Sequence, residues 1–192
     1  MEWRELIVDG YDRLPELVEE VLAGVRTADL DWPPRPGCNP LGWTVWHLTR
    51  VQDGQIADLM GEADLWTRDG WHAKFGRPPD HDDSGYGHTP EQVRAFRSPS
   101  AKVQLDYLRA VTDRTKQYLV SLSSADLDRE LDESSPDPPT VGVRIVSIVT
   151  DCHLHAGEAS YIRGLLKARV KAARSRRARP AGRKAARKKR SR

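Results

Sequence analysis

Residues 145–166 read IVSIVTDCHLHAGEASYIRGLL, and this stretch is the strongest evidence for the fold class. Its core-facing positions recur at spacings of three and four residues, which is typical of one face of an α-helix. They are Ile145, Ile148, Cys152, His155, Ala159, Ile162 and Leu166. Residues 143–149 also alternate weakly, as a strand does, but they continue the same helical stripe. We therefore predict one long helix that begins near Val141.

The same spacing recurs in three other segments of the chain. It predicts helices over about 3–25, from Pro40 to about Met60, and from about Pro99 to Ser121. Asn39 and Pro40 are typical of a helix start, because an Asn side chain accepts hydrogen bonds from the first amides and proline has the required φ. Four long amphipathic helices without a convincing strand predict an all-α protein, an antiparallel four-helix bundle.

The connections between these helices are long enough to contain structure of their own. Residues 61–88 are too long for a bare turn, so we predict a short helix there, best placed at Asp69–Phe75, or a lid. Thr89 and Gln92 have the spacing of a capping box and predict another helix start. Residues 123–140 are acidic and rich in proline, which predicts a loop with one turn at 125–131.

Charge divides the chain into two parts. Residues 167–192 contain 14 Lys or Arg side chains and no acid, whereas residues 1–166 contain 17 basic and 28 acidic residues. The net charge of +3 therefore combines a body of −11 with a tail of +14. We predict a bundle over 1–166 and a largely disordered tail over 167–192, because like charges repel. Extension of the last helix over 167–179 is the alternative for the first part of the tail.

Several classes of protein are excluded by composition. No window approaches the ~18 consecutive apolar residues that a membrane helix needs. The charged N-terminus has no apolar stretch of the kind that a secretory signal carries. Two cysteines, Cys38 and Cys152, exclude a disulfide scaffold and any CxxC pair. We therefore expect a cytoplasmic protein without membrane contact.

Ionisable side chains on the helical stripes are the candidates for chemistry, because helical bundles hold polar sites in their cores. His155 lies on the stripe of the last helix, and Asp151 lies one turn earlier on the same side. His47 lies beside the stripe of the second long helix. Two imidazoles and a carboxylate predict a site for zinc, nickel or iron with open positions for water or substrate. The alternative is that these histidines are only hydrogen-bonded in the core.

The other histidines and Cys152 are assigned no role in this site. His153 lies two residues from His155, so it points away from it on a helix. His72, His81 and His88 lie in the long connection and are predicted to be solvated loop residues. Cys152 lies on the core stripe, where a free thiol is usually inert packing.

Two motifs resemble those of the DinB-like (damage-inducible) superfamily. Residues 39–53, NPLGWTVWHLTRVQD, are similar to its second-helix motif, and residues 151–164, DCHLHAGEASYIRG, are similar to its last-helix motif. Residues 66–76 and 85–92 resemble an actinobacterial branch of that superfamily. The similarity extends over residues 1–166 in the expected order.

This resemblance implies a four-helix bundle that holds a divalent metal through three side chains. At the matching positions of this sequence these are His47, Asp151 and His155. Many members have His where this chain has Asp151, and a carboxylate there fits either an altered or a lost site. Relatives include thiol-dependent isomerases and S-transferases, so the implied partners are a low-molecular-weight thiol such as mycothiol and a small electrophile.

A bound metal can make a thiol nucleophilic near neutral pH by favouring its thiolate, which then attacks the electrophile. Charged side chains near the ligands are predicted either to bind a carboxylate of the thiol or substrate and orient the ligands, or to form surface ion pairs. They are Arg50, Asp53, Glu158 and Arg163.

Tryptophans and small residues each have two interpretations as well. The tryptophans either form a pocket wall or fill the core; they are Trp43, Trp46, Trp66 and Trp71. Small side chains between Ala156 and Gly164 allow close packing of another helix, either within the bundle or across a homodimer.

The basic tail predicts sequence-independent contact with nucleic-acid phosphates, because it has no aromatic residue for base stacking. Its candidate residues are Arg183, Lys184, Arg187, Lys188, Lys189 and Arg190. The alternatives are that it folds back on the acidic body or aids solubility. Two functions thus stay open: a metal-dependent thiol transferase or isomerase, and a non-catalytic small-ligand or nucleic-acid-associated binding protein whose tail contacts DNA.

Overall fold

The computed structural model describes residues 1–131, 134 and 136–178, of which residues 177 and 178 are described by their backbone alone. Over these residues the chain forms α-helices and a single 3-10 turn, and no strand. The helices are α1 (Trp3–Leu22), α2 (Thr27–Leu30), α3 (Leu41–Met60), α4 (Leu65–Arg68), α5 (Trp71–Lys74), α6 (Pro90–Ala95), α7 (Ala101–Ser121) and α8 (Val141–Ala178). The four long ones, α1, α3, α7 and α8, pack together, which confirms the predicted helical bundle.

Of the four pairs of neighbouring long helices, two are antiparallel, as predicted, and two are parallel. α3 and α7 are parallel, because Gly42 approaches Gln104 near their starts, and the Tyr118 hydroxyl donates to the Leu59 carbonyl (3.3 Å) near their ends. α1 and α8 are also parallel, whereas α1 is antiparallel to α7 and α3 to α8. Parallel neighbours need a connection that returns along the bundle, and residues 61–100 provide it.

α3 is buried on nearly all sides, although its sequence predicts an exposed polar face. Every residue from 41 to 50 is buried. The returning connection covers the outer face of α3 with an aromatic cluster, composed of Trp43, Trp46, Leu65, Trp66, Trp71, Phe75, Phe96, Tyr107 and Val111. Because water is excluded on both sides, the polar side chains of α3 must find their partners within the protein.

Of the two helix starts predicted from capping residues, one agrees with the structure and one differs from it. The predicted capping box at Thr89 and Gln92 is present. Asn39 does not cap α3, which corrects its predicted role. The capping position is Pro40, so the helix begins one residue later than an Asn39 cap requires.

The remaining predicted elements lie close to their expected places. The short helix predicted at 69–75 is α5, and α4 precedes it. The turn predicted at 125–131 is the 3-10 turn at Ala125–Asp128. α8 passes the predicted boundary at Leu166 and continues to Ala178, so the first part of the basic segment is helical. Residues 179–192 lie outside the described residues.

The small residues of α8 divide between two environments. Ala156 and Ala159 are buried in the bundle. Side chains added at Gly157 or Gly164 would meet no neighbouring atom within 4 Å. The alanines therefore serve packing within the bundle, and the homodimer stays a prediction. In the described part of the chain no helix is both long and apolar enough to cross a membrane.

Candidate functional site

The two predicted histidines meet in the groove between α3 and α8. The ring centroids of His47 and His155 are 4.7 Å apart, and their planes are nearly perpendicular (78°). Oδ1 of Asp151 lies 3.7 Å from Nε2 of His155. All three side chains line one cavity of about 620 Å³. The structure thus brings the three predicted ligands to the same cavity.

Hydrogen bonds determine which nitrogen of each imidazole faces this cavity. Nδ1 of His47 donates to the Ser84 carbonyl (2.6 Å), and Nδ1 of His155 donates to the Glu158 carboxylate (2.8 Å). We assign the hydrogen to Nδ1 in both rings because carbonyl and carboxylate oxygens only accept. In a neutral ring the lone pair is then on Nε2. Glu158 therefore orients His155 as a carboxylate partner orients a metal-bound histidine.

Burial keeps the His47 ring neutral. Loss of water contact lowers the pKa of His47 below its usual range, and the adjacent His155 lowers it further, against the opposing effects of the Ser84 carbonyl and of Asp151 and Glu158. A neutral ring near pH 7 retains the Nε2 lone pair that a metal or a proton donor requires.

Residues 84 and 85 close one side of the site. The Gly85 backbone has φ +90°, and a Cβ there would lie 2.9 Å from the rings of Trp43 and Trp46 and 3.1 Å from Nδ1 of His47. Only glycine fits this approach. His47 also stacks on Trp43, with ring centroids 4.8 Å apart. The ring of His47 is therefore positioned by stacking on an indole and by a hydrogen bond to the Ser84 carbonyl.

Arg50 anchors the connection that carries this segment. Its side chain is fully buried. Nη2 donates to the His81 carbonyl (2.7 Å) and Nε to the Asp83 carbonyl (3.2 Å). Nη1 donates to Asp64 (2.9 Å). The predicted surface ion pair is wrong because no part of Arg50 is at the surface. Its donors are all used within the protein, so it positions the loop and is not free to bind a substrate carboxylate.

Asp53 belongs to the same buried network. Its carboxylate accepts hydrogen bonds from the Tyr107 hydroxyl (2.6 Å) and from the amides of Leu65 (3.0 Å) and Trp66 (2.9 Å). Its Oδ2 lies 3.5 Å from Nη1 of Arg50. These partners tie α3 to α4 and α7. They correct the prediction of a surface pair and give Asp53 no contact with the histidines.

Arg163 and the tryptophans are placed mostly away from the cavity. Arg163 donates to the Ala23 carbonyl (2.7 Å), about 12 Å beyond His155 along the helix axis. Of the four tryptophans, Trp43 contacts His47. Trp46, Trp66 and Trp71 are buried in the aromatic cluster, so the core-filling interpretation holds for these three.

Two histidines of the connection have roles that the sequence did not reveal. His88 accepts from the Trp43 indole at Nδ1 (3.3 Å) and contacts Asp83 through Nε2 (3.0 Å); its side chain is 10% exposed, so it is not a solvated loop residue. His81 is about half-exposed, lines the cavity and faces carboxylates of Asp58 and Asp64. Neither lies in a periodic segment, so spacing gave no signal for them.

Two negative predictions agree with the contacts of α8. Cys152 is fully buried, with Sγ 3.5 Å from the Leu48 carbonyl, and burial raises the pKa of its thiol far above its usual range. The thiol is therefore protonated and inert. His153 bonds the Val149 carbonyl through Nδ1 (2.8 Å) and takes no part in the site.

The donor set at this cavity meets the chemical requirements of a metal ion more fully than the geometric ones. Within the residues that the structure describes, no group of three or more His, Cys, Asp or Glu side chains is arranged to hold an ion. The donors at the cavity are nevertheless of the kind that zinc, nickel and iron accept, namely two imidazole nitrogens and a carboxylate. The Asp151 side chain is 42% exposed, so its rotation toward the two rings meets little obstruction. The set therefore fits a divalent ion in its chemistry.

The sequence of the chain matches that of a known protein family. Residues 11–159 match the family model for the DinB superfamily. The chain belongs to the DinB superfamily. A solved DinB-like structure, described as the conserved protein of locus from Enterococcus faecalis, is similar with 32% identity and a TM-score of 0.81, covering 88% of this chain and 99% of that one. No curated protein matches the chain.

The DinB match contains all three candidate ligands and ends within α8. It leaves out residues 160–192, which include the basic part of that helix. The prediction of a DinB-like fold is thereby confirmed, and the assignment to an actinobacterial branch stays a prediction.

Proposed function

We propose that this DinB-superfamily protein binds zinc, nickel or iron through His47, Asp151 and His155 and is a thiol-dependent transferase or isomerase. The observation that supports this most is the orientation of the two imidazoles. Each donates from Nδ1 to a fixed partner, which leaves two Nε2 lone pairs and the Asp151 carboxylate at one cavity. Three acceptors without a donor between them favour a bound cation.

The bound metal would supply a lowered thiol pKa, so that a low-molecular-weight thiol such as mycothiol is a thiolate near neutral pH. The residues of this chain position the reaction. Ser84 and Glu158 fix the two rings, and Gly85 allows the backbone to close over His47. In a transfer reaction the thiol sulfur forms a bond to an electrophilic carbon, and the bond from that carbon to a leaving group such as chloride breaks with its electron pair. The thiol proton and the leaving group pass to solvent through the open cavity.

Metal binding is tested with purified full-length protein titrated with Zn²⁺ and Ni²⁺ and analysed for metal content. We expect about one ion per chain, and dissociation constants raised at least about 100-fold in His47→Ala and His155→Ala. His153→Ala is the matched control, because its ring bonds a backbone carbonyl on the same helix, and its affinity should equal wild type. Equal affinity in all four proteins, or no binding to wild type, contradicts the proposal.

Thiol chemistry is tested separately with the metal-loaded protein. Loss of free mycothiol in the presence of a chloronitrobenzene should be faster than without protein and should disappear in His47→Ala. The protein could bind the metal at these residues and still fail to accelerate thiol loss with several classes of electrophile. That result would support the metal site and contradict the proposed transferase activity.

The basic end of α8 favours a second function, sequence-independent contact with nucleic acid. Beyond Leu166 the helix carries exposed basic side chains and no acid; those described are Lys167, Arg169, Lys171, Arg174 and Arg176. The predicted contacts from Arg183, Lys184, Arg187, Lys188, Lys189 and Arg190 lie outside the described residues. We propose that the helical part contributes phosphate contacts, which release counterions.

Salt dependence tests this second function. For double-stranded DNA, the slope of log K against log salt should fall by about 0.9 for each phosphate contact removed. The full-length variant Lys167→Gln/Lys171→Gln/Arg174→Gln should therefore show a shallower slope than wild type. An unchanged slope would show that the helical segment makes no such contacts.

A further inference from the structure

A second cavity, of about 850 Å³, lies along the same groove between α3 and α8. It begins where the first cavity ends, because Glu158, which holds Nδ1 of His155, forms part of its wall. Thr44, one turn before His47 on α3, lines it too. The pair of imidazoles therefore stands between two cavities, one on the Asp151 side and one on the Glu158 side. The volume is in the range of small-molecule pockets.

The walls of the two cavities differ in chemistry. The Asp151-side cavity is lined by several carboxylates, including Asp58 and Asp82. The Glu158-side cavity is lined mainly by apolar groups: Trp32 and Pro34 on the loop before α3, and Ile162 and Leu165 on α8. A flat apolar molecule buries its surface in the second cavity. Without a bound cation, the three carboxylates of the first cavity disfavour a second anion beside them.

Arg35 stands at the second cavity as an available cation. It is exposed, and among the described residues no acceptor or carboxylate engages its guanidinium. It lies between Pro34 and Pro36, which restrict the backbone on both sides of it. An unpaired guanidinium at the edge of an apolar pocket suits a carboxylate, which it can bind through two parallel hydrogen bonds.

We propose that the Glu158-side cavity binds a small molecule with a flat apolar body and one carboxylate. The carboxylate pairs with Arg35, and the body lies between Trp32 and the Ile162–Leu165 face of α8. The end away from Arg35 then reaches Glu158 and His155. This deepens the proposed function and rests on it for one point: the molecule is the electrophile, while the polar thiol occupies the Asp151-side cavity. Binding itself needs no metal.

The test measures binding of 2-naphthoate and of its uncharged analogue 2-naphthalenemethanol to metal-free full-length protein by calorimetry. Wild type should bind the carboxylate about tenfold more tightly than the alcohol, because a charge-assisted pair is stronger than a neutral hydrogen bond. Arg35→Gln should reduce that preference to about twofold or less and leave the alcohol unchanged. Arg13→Gln, an exposed arginine on α1, is the control and should behave as wild type.

A second variant tests the apolar wall independently of Arg35. Leu165 is partly exposed, so Leu165→Glu should fold, which circular dichroism verifies, and should weaken both probes at least tenfold. Equal affinity of the two probes for wild type, or unchanged binding in both variants, overturns the proposal. So does a stable dimer in sedimentation experiments that covers Tyr161 and excludes the probes.

The metal and the cavity can fail separately. His47→Ala should lose metal and keep naphthoate binding. If naphthoate binds as described and wild type takes up no metal, the proposed function fails and the cavity stands. If metal binds and naphthoate does not, the cavity proposal alone fails.

Discussion

Arg50 and His47 are polar residues three positions apart on the same buried helix, and their surroundings differ in one respect. Each nitrogen of the Arg50 guanidinium meets an acceptor, and Asp64 supplies the opposite charge at 2.9 Å. His47 is satisfied on Nδ1, while its ring lies against His155, whose Nε2 faces Asp151. Every donor of Arg50 is therefore paired with an acceptor, whereas the site around His47 brings several acceptors together without a donor.

This difference separates a structural network from a reactive site. A buried charged network whose donors and acceptors are all paired holds one geometry and has no hydrogen-bonding group free for a ligand. The two are connected in this protein, because Arg50 binds the carbonyls of His81 and Asp83, and the same segment then presents the Ser84 carbonyl to His47. The rigidity of the network thereby orients the reactive ring.

The largest expected effect comes from disrupting the buried network. Arg50→Met removes the cation that pairs with buried Asp64 at 2.9 Å and leaves Asp53 with the more distant Arg114 (3.7 Å). We expect the free energy of unfolding to fall by about 3–5 kcal/mol. Urea denaturation measures it. Arg13→Met, which removes an exposed pair with Asp9, should leave the midpoint unchanged. A similar small change in both variants would mean that the buried network does not stabilise the fold.

Gly85→Ala should damage the site more than the fold. The added Cβ meets Trp43, Trp46 and His47 in a backbone conformation that costs about 1–3 kcal/mol for other residues. Gly87→Ala is the matched control, because Gly87 has φ +72° and open space around it. Both variants should lose stability in denaturation, but only Gly85→Ala should weaken Zn²⁺ binding, by about tenfold. If Gly85→Ala and Gly87→Ala bind zinc equally well, the segment that carries the Ser84 carbonyl does not orient His47 for metal binding.

Glu158→Gln should have a smaller effect, confined to metal affinity. Loss of a carboxylate partner weakens histidine ligands by about 10–100-fold, and we expect the lower end of this range because Glu158 is 58% exposed. Zinc titration measures it, and the unfolding midpoint should not move. Glu20→Gln, an exposed change on α1, is the control. Unaltered affinity would assign no orienting role to the hydrogen bond with His155.

The smallest effect is a pH dependence of the buried network. Burial raises the pKa of Asp64, but hydrogen bonds from Thr67 and the charge of Arg50 outweigh it, so the pKa lies below its usual range. The carboxylate therefore stabilises the fold above the unfolded pKa of about 4, and this contribution is lost as pH falls through the lower folded value. The stability difference between wild type and Asp64→Asn should shrink from pH 5 to pH 3 in urea denaturation. A constant difference would contradict this assignment.

Local pattern predicted the long helices and the pairing of Asp151 with His155, because both depend on residues within one or two helical turns. The same reasoning failed for Arg50. Its burial depends on Asp64 and on carbonyls 31 and 33 positions away, and no local spacing encodes such partners. Local sequence therefore predicts that a polar residue lies on a helix, but it does not predict the distant residues that bind its side chain.

The burial of the outer face of α3 was also missed because it depends on residues far away in the sequence. The sequence of the helix predicts one buried face, whereas the aromatic cluster that covers the other face comes largely from the connection after it. The assignment of His88 as a solvated loop residue failed with it, because a loop that packs on a helix buries some of its side chains; His81 is exposed, as predicted. His47 was a candidate from its place beside the stripe as well as from the motif resemblance, and the structure places its ring against that of His155.

One further consequence follows from the length of α8. A single unbroken helix carries Asp151, His155 and Glu158 in its middle and the basic side chains at its far end. About 35 Å of continuous helix separates His155 from Ala178, without a joint between them. Because the helix is continuous, the rotational position of each basic side chain around its axis is set relative to that of His155.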